Sequence, residues 1–359
     1  MTREAPASLL ASLAGVSFVC PRCHGELGAD ADSFRCGACS LRFPVIAGIP
    51  DFRLAPDPYL SVEEDLARTR KILEMPDGLS FRDLLRRYWG LSDETPAALR
   101  EKFVETALTG EERARRTLSA LAAADRARVR NVLEIGTGTG NLLATAAGFL
   151  SGGVHVIGTD AAMRWLHVAR RRLRDSGEPE PALACCGGEN LPFPDASFDA
   201  VVSIATLEFV SDAAAFLAEC LRVLRPGGVV LVSAVNRFSV TREPHVALWG
   251  VGFLPRGWQA AYVRARRGAS FEQIRLRSHG ELRRLTRGPR LRVGGEVGTE
   301  FFLPDLSDEE TRALSPSRAL ALSAYRLAKR FRAGRALLRR LAPEWVLVLR
   351  KKDPDRASR

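Results

Sequence analysis

The chain has 359 residues, of which 46 % are hydrophobic and 26 % charged, with a formal net charge of +11. That length can bury one substantial core plus a small appendage, the composition is that of an ordinary globular protein, and no apolar run approaches the roughly 18 residues needed to span a bilayer. The positive excess, nearly all arginine and spread along the chain, favours an anionic partner without naming one.

The first 16 residues are expected to be flexible. Met1 to Val19 is mildly apolar, but its charged end is only Arg3 beside Glu4 and no small residue directly precedes Cys20. It is not read as a secretion signal, and a cytoplasmic protein is expected. Residues 17–54 then carry two knuckles, Cys20-Pro-Arg-Cys23 and Cys36-Gly-Ala-Cys39, with twelve residues between them. Two such hairpins can set four thiolates tetrahedrally around one Zn²⁺, and so short a segment needs a metal to fold. Disulfides would need an oxidising compartment and a redox pair would need a surrounding βαβ pattern. His24 adjoins a ligand, but four cysteines fill the shell. The stretches Val19–Leu27 and Phe34–Phe52, ending Pro-Val-Ile-Ala-Gly-Ile-Pro, resemble the small zinc-ribbon family that partners or precedes many methyltransferases. The resemblance implies a structural or docking metal at Cys20, Cys23, Cys36 and Cys39, with no open position for catalytic water.

Residues 55–128 read as a helical linker or cap broken at Pro76-Asp-Gly78 and Thr95-Pro96. Leu66, Ile72 and Leu73, then Leu84, Leu85, Tyr88 and Trp89, then Leu99, Phe103 and Leu108 recur at helical spacing. Their aromatic residues are read as packing.

The central signal begins at Val129. An aliphatic strand runs into Gly136-Thr-Gly-Thr-Gly140 and then a helix, so the backbone can turn sharply and approach a ligand. A second strand, Val154–Asp160, ends in an acid about 20 residues on, placed to accept ribose hydroxyls or to cap the helix expected over Ala161–Leu173. A dinucleotide site would want Gly-x-Gly-x-x-Gly, whereas the third glycine here comes one residue early and Asn141 fills the later position. Leu133-Glu-Ile-Gly-Thr-Gly-Thr-Gly140 instead resembles motif I of the class I S-adenosylmethionine-dependent methyltransferases. Glu189–Ser203 and Leu221–Ser233 resemble the fourth strand and the helix, Arg-Pro-Gly-Gly turn and fifth strand of that superfamily.

The resemblance implies an α/β, Rossmann-like sheet with helices on both faces over residues 129–352. It also implies an S-adenosylmethionine site from Glu134, Gly136, Thr137, Gly138, Gly140, Asp160, Glu189, Asn190 and Ser203. One departure stands out: the family often has Gly-Asp-Ala before Leu-Pro-Phe, its acid binding the adenine amine, and here Gly187 takes the acid's place. Adenine recognition must then use backbone groups, Glu189 or another side chain. Cys185, Cys186 and Cys220 read as buried small hydrophobes.

Ser203-Ile-Ala-Thr-Leu-Glu208 lacks both the Asn/Asp-Pro-Pro-Tyr pattern of base amino-methylation and a Pro-Cys nucleophile. A lid insertion is expected over about 237–277. His245, with Glu243 two positions before it, is the candidate base for a hydroxyl acceptor, and Trp249, Phe253 and Trp258 suggest an apolar acceptor surface or a packed lid core. Beyond it come a helix over Gly280–Arg287, a strand near Leu291–Phe302, a long helix over Pro316–Leu341 and a strand over Trp345–Arg350, then a frayed tail over 353–359. The long helix carries a seam of Leu320, Leu327, Phe331, Leu338 and Leu341 amid eight basic residues and no acid. That pattern permits docking on anionic lipid or RNA, or simple packing of the seam on the sheet. The reading is methylation of an oxygen, with carbon or nitrogen as the alternatives, on a small or lipid-like acceptor. Methylation of ribosomal or transfer RNA is the alternative, although the Cys-x-x-x-His ending of zinc-ribbon RNA guanine methyltransferases is missing, and a non-catalytic adaptor is the reading from another class.

Overall fold

The computed structural model describes residues 16–91, 95–150, 153–177, 180–288, 291, 297–303, 305–306, 311–312 and 315–353. Most of the expected N-terminal arm and of the C-terminal tail lies outside these residues.

Four short strands, β1 (Leu27–Ala29), β2 (Ser33–Cys36), β3 (Arg42–Ile46) and β4 (Ile49–Pro50), form an antiparallel sheet in sequence order. Ala47 and Gly48 join β3 to β4, both at positive φ (47° and 79°), as a two-residue hairpin turn compatible with strand twist requires. The ribbon is not a bead on a string. Phe18, Phe34, Phe43 and Phe52 stack on one another, and Phe18 reaches Phe193 of the large domain at a centroid distance of 5.6 Å.

Helices α1 (Val62–Leu73), α2 (Phe81–Gly90), α3 (Ala97–Leu108), α4 (Gly110–Leu118) and α5 (Ala123–Arg126) follow. Ser61 and Glu64 close a capping box on α1, and Ser80 caps α2. Trp89 packs among Tyr88, Phe103 and Trp165, as expected of it.

The main sheet is built from β5 (Asn131–Ile135), β6 (His155–Asp160), β7 (Ala182–Cys185), β8 (Phe198–Ile204), β9 (Leu224–Val235), β10 (Val297–Phe302) and β11 (Glu344–Lys351), in the order β10-β11-β9-β8-β5-β6-β7. The strands from β9 to β7 are parallel, while β11 runs antiparallel to both of its neighbours. Alternation assigns the faces: Leu133, Ile135, Val201, Val230, Val232, Leu347 and Leu349 enter one core, while Val132, Ala200, Val202, Val229, Leu231, Val346 and Val348 enter the other. Burial on both faces is what a parallel sheet covered by crossover helices demands. The ribbon aromatics and α8 (Ala213–Val223) cover the first face; α4 and α6 (Asn141–Phe149) cover the second. The expected α/β class and helix-covered sheet are met.

After β9 come a 3-10 turn (Val251–Phe253), α9 (Arg256–Arg267) and α10 (His279–Leu285). The strand expected near Leu291–Phe302 is described only over Val297–Phe302, since residues 292–296 lie outside the described set. The long helix expected over Pro316–Leu341 is two helices, α11 (Pro316–Arg330) and α12 (Arg332–Leu341). Phe331 between them is extended (φ −103°, ψ 145°), and Gly334 lets α12 fold back so closely that a Cβ there would lie 2.1 Å from the Ala328 carbonyl oxygen. The seam is split as well. Tyr325 and Leu338 pack on the core, whereas Leu320, Leu327 and Phe331 are exposed.

Candidate active site and its metal centre

At the carboxyl ends of β5 and β6 the glycine loop is stitched down by its own amides. Gly136 and Thr137 both donate to the Thr159 carbonyl (2.7 and 2.9 Å), Gly138 donates to Asp160 Oδ2 (2.9 Å), and Gly140 donates to the Thr137 carbonyl (2.9 Å). All three glycines have positive φ. Gly136 tolerates no side chain because Thr206 Oγ1 would meet its Cβ at 1.9 Å, whereas a Cβ on Gly138 would enter open space. Gly110 at the start of α4 abuts the Asn141 side chain, so the linker is seated against this loop.

In that cradle Glu134 Oε2, Thr137 Oγ1 and Asn141 Oδ1 are buried without a hydrogen-bond partner among the described residues. Burial pushes the Glu134 carboxyl well above the usual carboxylate range. Orphaned polar groups of this kind call for a ligand, and a carboxylate that burial disfavours is relieved by a cation. Asp160 Oδ1 accepts from Ala162 N–H (2.9 Å), and burial raises its carboxyl to about 6 against the pull of the Ala162 and Gly138 amides. The helix beyond it opens only at Met163, with Ala162 at its cap position and no side-chain cap bond, so Asp160 does not cap it as expected.

The remaining expected cofactor residues separate. Glu189 Oε1 accepts from the Ser211 and Asp212 amides ahead of α8 and from the Ser211 hydroxyl, while Oε2 lies 3.7 Å from where a Gly187 side chain would begin. Asn190 is exposed at a turn closed by its own amide on the Gly187 carbonyl (3.2 Å). Ser203 is fully buried and donates to the Ile135 carbonyl (2.9 Å), fastening β8 to β5. Cys185, Cys186 and Cys220 are buried.

A second cluster lies beyond the end of β8, where Ala205 sits at φ 54°, a strained position for a residue with a Cβ. Glu208 is buried there. Its Oε1 accepts from Val235 N–H (2.6 Å), and its Oε2 is an orphan. His245 packs edge-on to Phe209 (5.3 Å), and its Nδ1 contacts Glu243 Oε1. The other Glu243 oxygen accepts from Val246 N–H (2.9 Å), so the carboxylate is fixed in orientation. Burial opposes the imidazolium, but the Glu243 carboxylate outweighs it and holds His245 above its ordinary value; Glu243 is in turn held below the carboxylate range, because His245 overcomes its burial. Tyr59 of the linker packs on Phe209 (5.8 Å), and Lys102 donates to the Pro244 carbonyl, so linker and lid meet over this end of the sheet.

The lid's own core is Val246, Leu248, Val251, Val263, Ala269, Phe271, Ile274 and Leu276. Trp249, Phe253 and Trp258 are not part of it. They face solvent, which corrects the packed-core alternative.

Two further groups were not singled out from sequence. Glu208 lies in a stretch without a motif, so no local signal marks it. Asp65, in the charged first turn of α1, reads as a solvated helix residue. Instead it is fully buried, accepts from the Met163 and Arg164 amides opening α7 (Met163–Asp175) and pairs at 2.7 Å with both Arg53 and Arg164. Arg53 also pairs with Asp51 (2.7 Å), and Arg164 with Asp57 (2.7 Å) and the Tyr88 hydroxyl (3.0 Å).

At the ribbon, the four sulfur atoms all lie within 4.8 Å of one another, with Cys20–Cys39 and Cys23–Cys36 at 3.5 Å. Tetrahedral Zn–S bonds of about 2.3 Å put ligand sulfurs about 3.8 Å apart, so donor set and spacing fit one Zn²⁺. His24 takes a left-handed turn (φ 56°), as a knuckle requires. A cavity of about 950 Å³ between β10, α10 and α12 contains none of the expected site residues; His279, Arg283, Arg287 and Arg339 line it.

Comparison with known proteins agrees with this geometry. A family model described as a methyltransferase domain matches residues 133–232. The ubiquinone/menaquinone biosynthesis C-methyltransferase UbiE of Bordetella avium is 38 % identical over 133 residues, covering 36 % of this chain and 52 % of the relative. A demethylmenaquinone methyltransferase of Tropheryma whipplei is 39 % identical, covering 35 % and 50 %. A ubiquinone biosynthesis O-methyltransferase of Aromatoleum aromaticum is 36 % identical, covering 36 % and 54 %. The chain thus spans about half the length of these relatives.

Proposed function

We propose that this chain, whose core is a class I S-adenosylmethionine-dependent methyltransferase domain, methylates a hydroxyl oxygen of an apolar, lipid-like acceptor. The observation that carries the reading is the Glu243–His245 pair, packed on Phe209 beyond the carboxyl end of β8, in a molecule whose β5 glycine loop buries an unpartnered Glu134 Oε2. Three of the relatives carry names of ubiquinone or menaquinone methylation, one at carbon and one at oxygen, which supports a small-molecule acceptor.

Bound at the loop, S-adenosylmethionine supplies an electrophilic methyl carbon on a sulfonium. Glu134 would face its cationic groups and Asp160 its ribose, and loop backbone would bound the nucleoside where Gly138 leaves space. With Nδ1 directed at Glu243, His245 presents Nε2, which has no protein partner among the described residues, to the acceptor. It would take the O–H proton at Nε2, freeing the acceptor oxygen for the methyl carbon that the cofactor would supply, with the C–S electron pair left on sulfur. Most of the rate comes from in-line alignment of oxygen and methyl, and the proton transfer adds to it.

The zinc-loaded full chain is expected to bind S-adenosylmethionine and its demethylated product in calorimetry. With methyl-labelled cofactor it should label a lipid extract. Label entering only total RNA would overturn the acceptor class, and a folded protein with no affinity for either nucleoside would overturn the reading itself.

A further inference from the structure

The methyl-transfer reading leaves one surface unexplained. Along α11, Leu320, Ala324, Leu327 and Phe331 follow at i, i+4, i+7 and i+11, a single stripe, and it faces solvent: Leu320 is 74 % exposed. Leu337 of α12 is also exposed. At its carboxyl end α12 is sutured to the lid, because Leu341 carbonyl accepts from Val240 N–H (3.2 Å) and Asn236 Nδ2 donates to the Arg340 and Ala342 carbonyls (2.8 and 3.0 Å). Val240 itself is exposed and accepts from Trp249 Nε1 (3.1 Å). Trp249 stacks on Phe253 (6.1 Å), and Trp258, at 69 % exposure, opens α9 just beyond. Apolar groups therefore extend from the C-terminal helices across the lid that holds His245.

Charge decides what this surface meets. Between Ser315 and Leu341 the chain carries eight basic residues and no acid. Arg330, Arg332 and Arg340 are exposed, and Arg283, Arg287 and Arg339 around the neighbouring cavity make no ion pair among the described residues. A second copy of the chain would bring like charges together, and RNA would gain nothing from exposed leucines. Asp305 pairs with Arg326 (2.9 Å) and Lys329 (3.5 Å) of α11, which leaves Arg330, Arg332 and Arg340 as exposed cations beside tryptophans and aliphatic side chains, the combination that an anionic bilayer surface rewards.

We infer that α11, α12 and the lid aromatics form a docking surface for anionic phospholipid, seating the lid's Glu243–His245 pair against the membrane from which a lipophilic acceptor is drawn. The inference rests on the lipid-like acceptor proposed above, but its test needs no turnover. Full-length zinc-loaded protein is floated with vesicles of phosphatidylglycerol and phosphatidylcholine, or of phosphatidylcholine alone, while tryptophan emission is followed. Binding is expected only with phosphatidylglycerol, with a blue shift, and weakening as salt rises from about 0.05 to about 0.5 M. The triple variant R330E/R332E/R340E should lose on the order of 100-fold or more in vesicle affinity, each arginine near the surface contributing about fivefold. The variant W258S/L337S should reduce both binding and blue shift. Product-nucleoside affinity and thermal midpoint of both variants should match the wild type, so loss of vesicle binding is separated from misfolding. Equal affinity for neutral vesicles, no vesicle binding by a protein that still binds the nucleoside, or arginine-dependent binding to RNA instead would each overturn the inference and leave the methyltransferase reading untouched.

Discussion

In the proposed cofactor site, Glu134 sets ligand binding against stability within one side chain. Its carboxyl is driven well above the usual range by burial, so the folded apoprotein holds a proton there that the unfolded chain releases above about 4.5. Stability from this group is therefore present at low pH and is lost as pH rises from the unfolded value toward the folded one; Asp160, at about 6, acts in the same direction. A bound sulfonium reverses the shift by favouring the carboxylate. Cofactor binding should thus release protons, visible as buffer-dependent heats, and tighten as pH rises through the apo value. Glu134→Gln should raise the apoprotein's melting temperature at pH 8 relative to pH 5 and weaken S-adenosylmethionine about 10- to 100-fold, the worth of a charge-assisted contact. A variant that binds as well as wild type would remove Glu134 from the site. His245 is linked to pH in the same direction. Glu243 holds its pKa above the ordinary 6.5, so the imidazolium stabilises the fold below the unfolded value and that contribution fades as pH climbs through the folded one. The proposed proton transfer needs the neutral ring, so kcat/KM should rise with an inflection above 6.5. Glu243→Gln should move that limb downward, and His245→Ala should cost about 100-fold or more in kcat. An unmoved limb in Glu243→Gln would show that the pair does not set the profile.

At the scale of elements, α7 starts without a capping side chain of its own, and Asp65, about 100 residues earlier, caps it from α1. Three aspartates and two arginines, all with buried side chains, meet there: Asp51, Asp57, Asp65, Arg53 and Arg164. The excess negative charge faces the positive end of the α7 dipole, which helps to hold it. Removing one member strands the others. Asp65→Ala should destabilise the protein by about 3–5 kcal/mol in chemical denaturation, and a loss below about 1 kcal/mol would mean the cluster is solvated after all. Such a cluster was not legible in sequence, since its members are scattered over Asp51 to Arg164 and each reads locally as a surface charge. The parallel strands were legible because aliphatic runs bounded by glycine turns have one stable use, burial on both faces. The two knuckles were legible because thiol spacing encodes metal geometry directly. The break at Phe331 was not: neither proline nor an acid marks it, and Gly334 matters only through its approach to Ala328.

Across the whole molecule, the ribbon shares one core with a face of the sheet, and helix α4 of the linker packs on the other face. Phe52 N–H donates to the Cys185 carbonyl (2.7 Å) beside a parallel bridge between Asp51 and Cys185, so the ribbon extends the free edge of β7. Val19 N–H donates to the Pro192 carbonyl (3.0 Å), and Arg170 of α7 donates to the Ala47 and Gly48 carbonyls (2.6 and 3.3 Å). The metal knuckles thus buttress the segment from Glu189 to Phe193, which follows the position where the usual adenine acid is replaced by Gly187. A small ribbon loses its fold without metal, and Phe18, Phe34 and Phe52 would then leave the aromatic cluster that includes Phe193. Chelating the zinc, or substituting Cys36→Ser, should lower the melting temperature and weaken product-nucleoside binding together, while the far-UV helical signal of the main domain largely persists. Nucleoside affinity unchanged in a verified metal-free protein would separate the ribbon from the cofactor site and leave it a docking module alone. Parallel loss would make the metal a distant support of the adenine loop, and would explain how a chain lacking the usual acid at Gly187 still orders that side of the pocket.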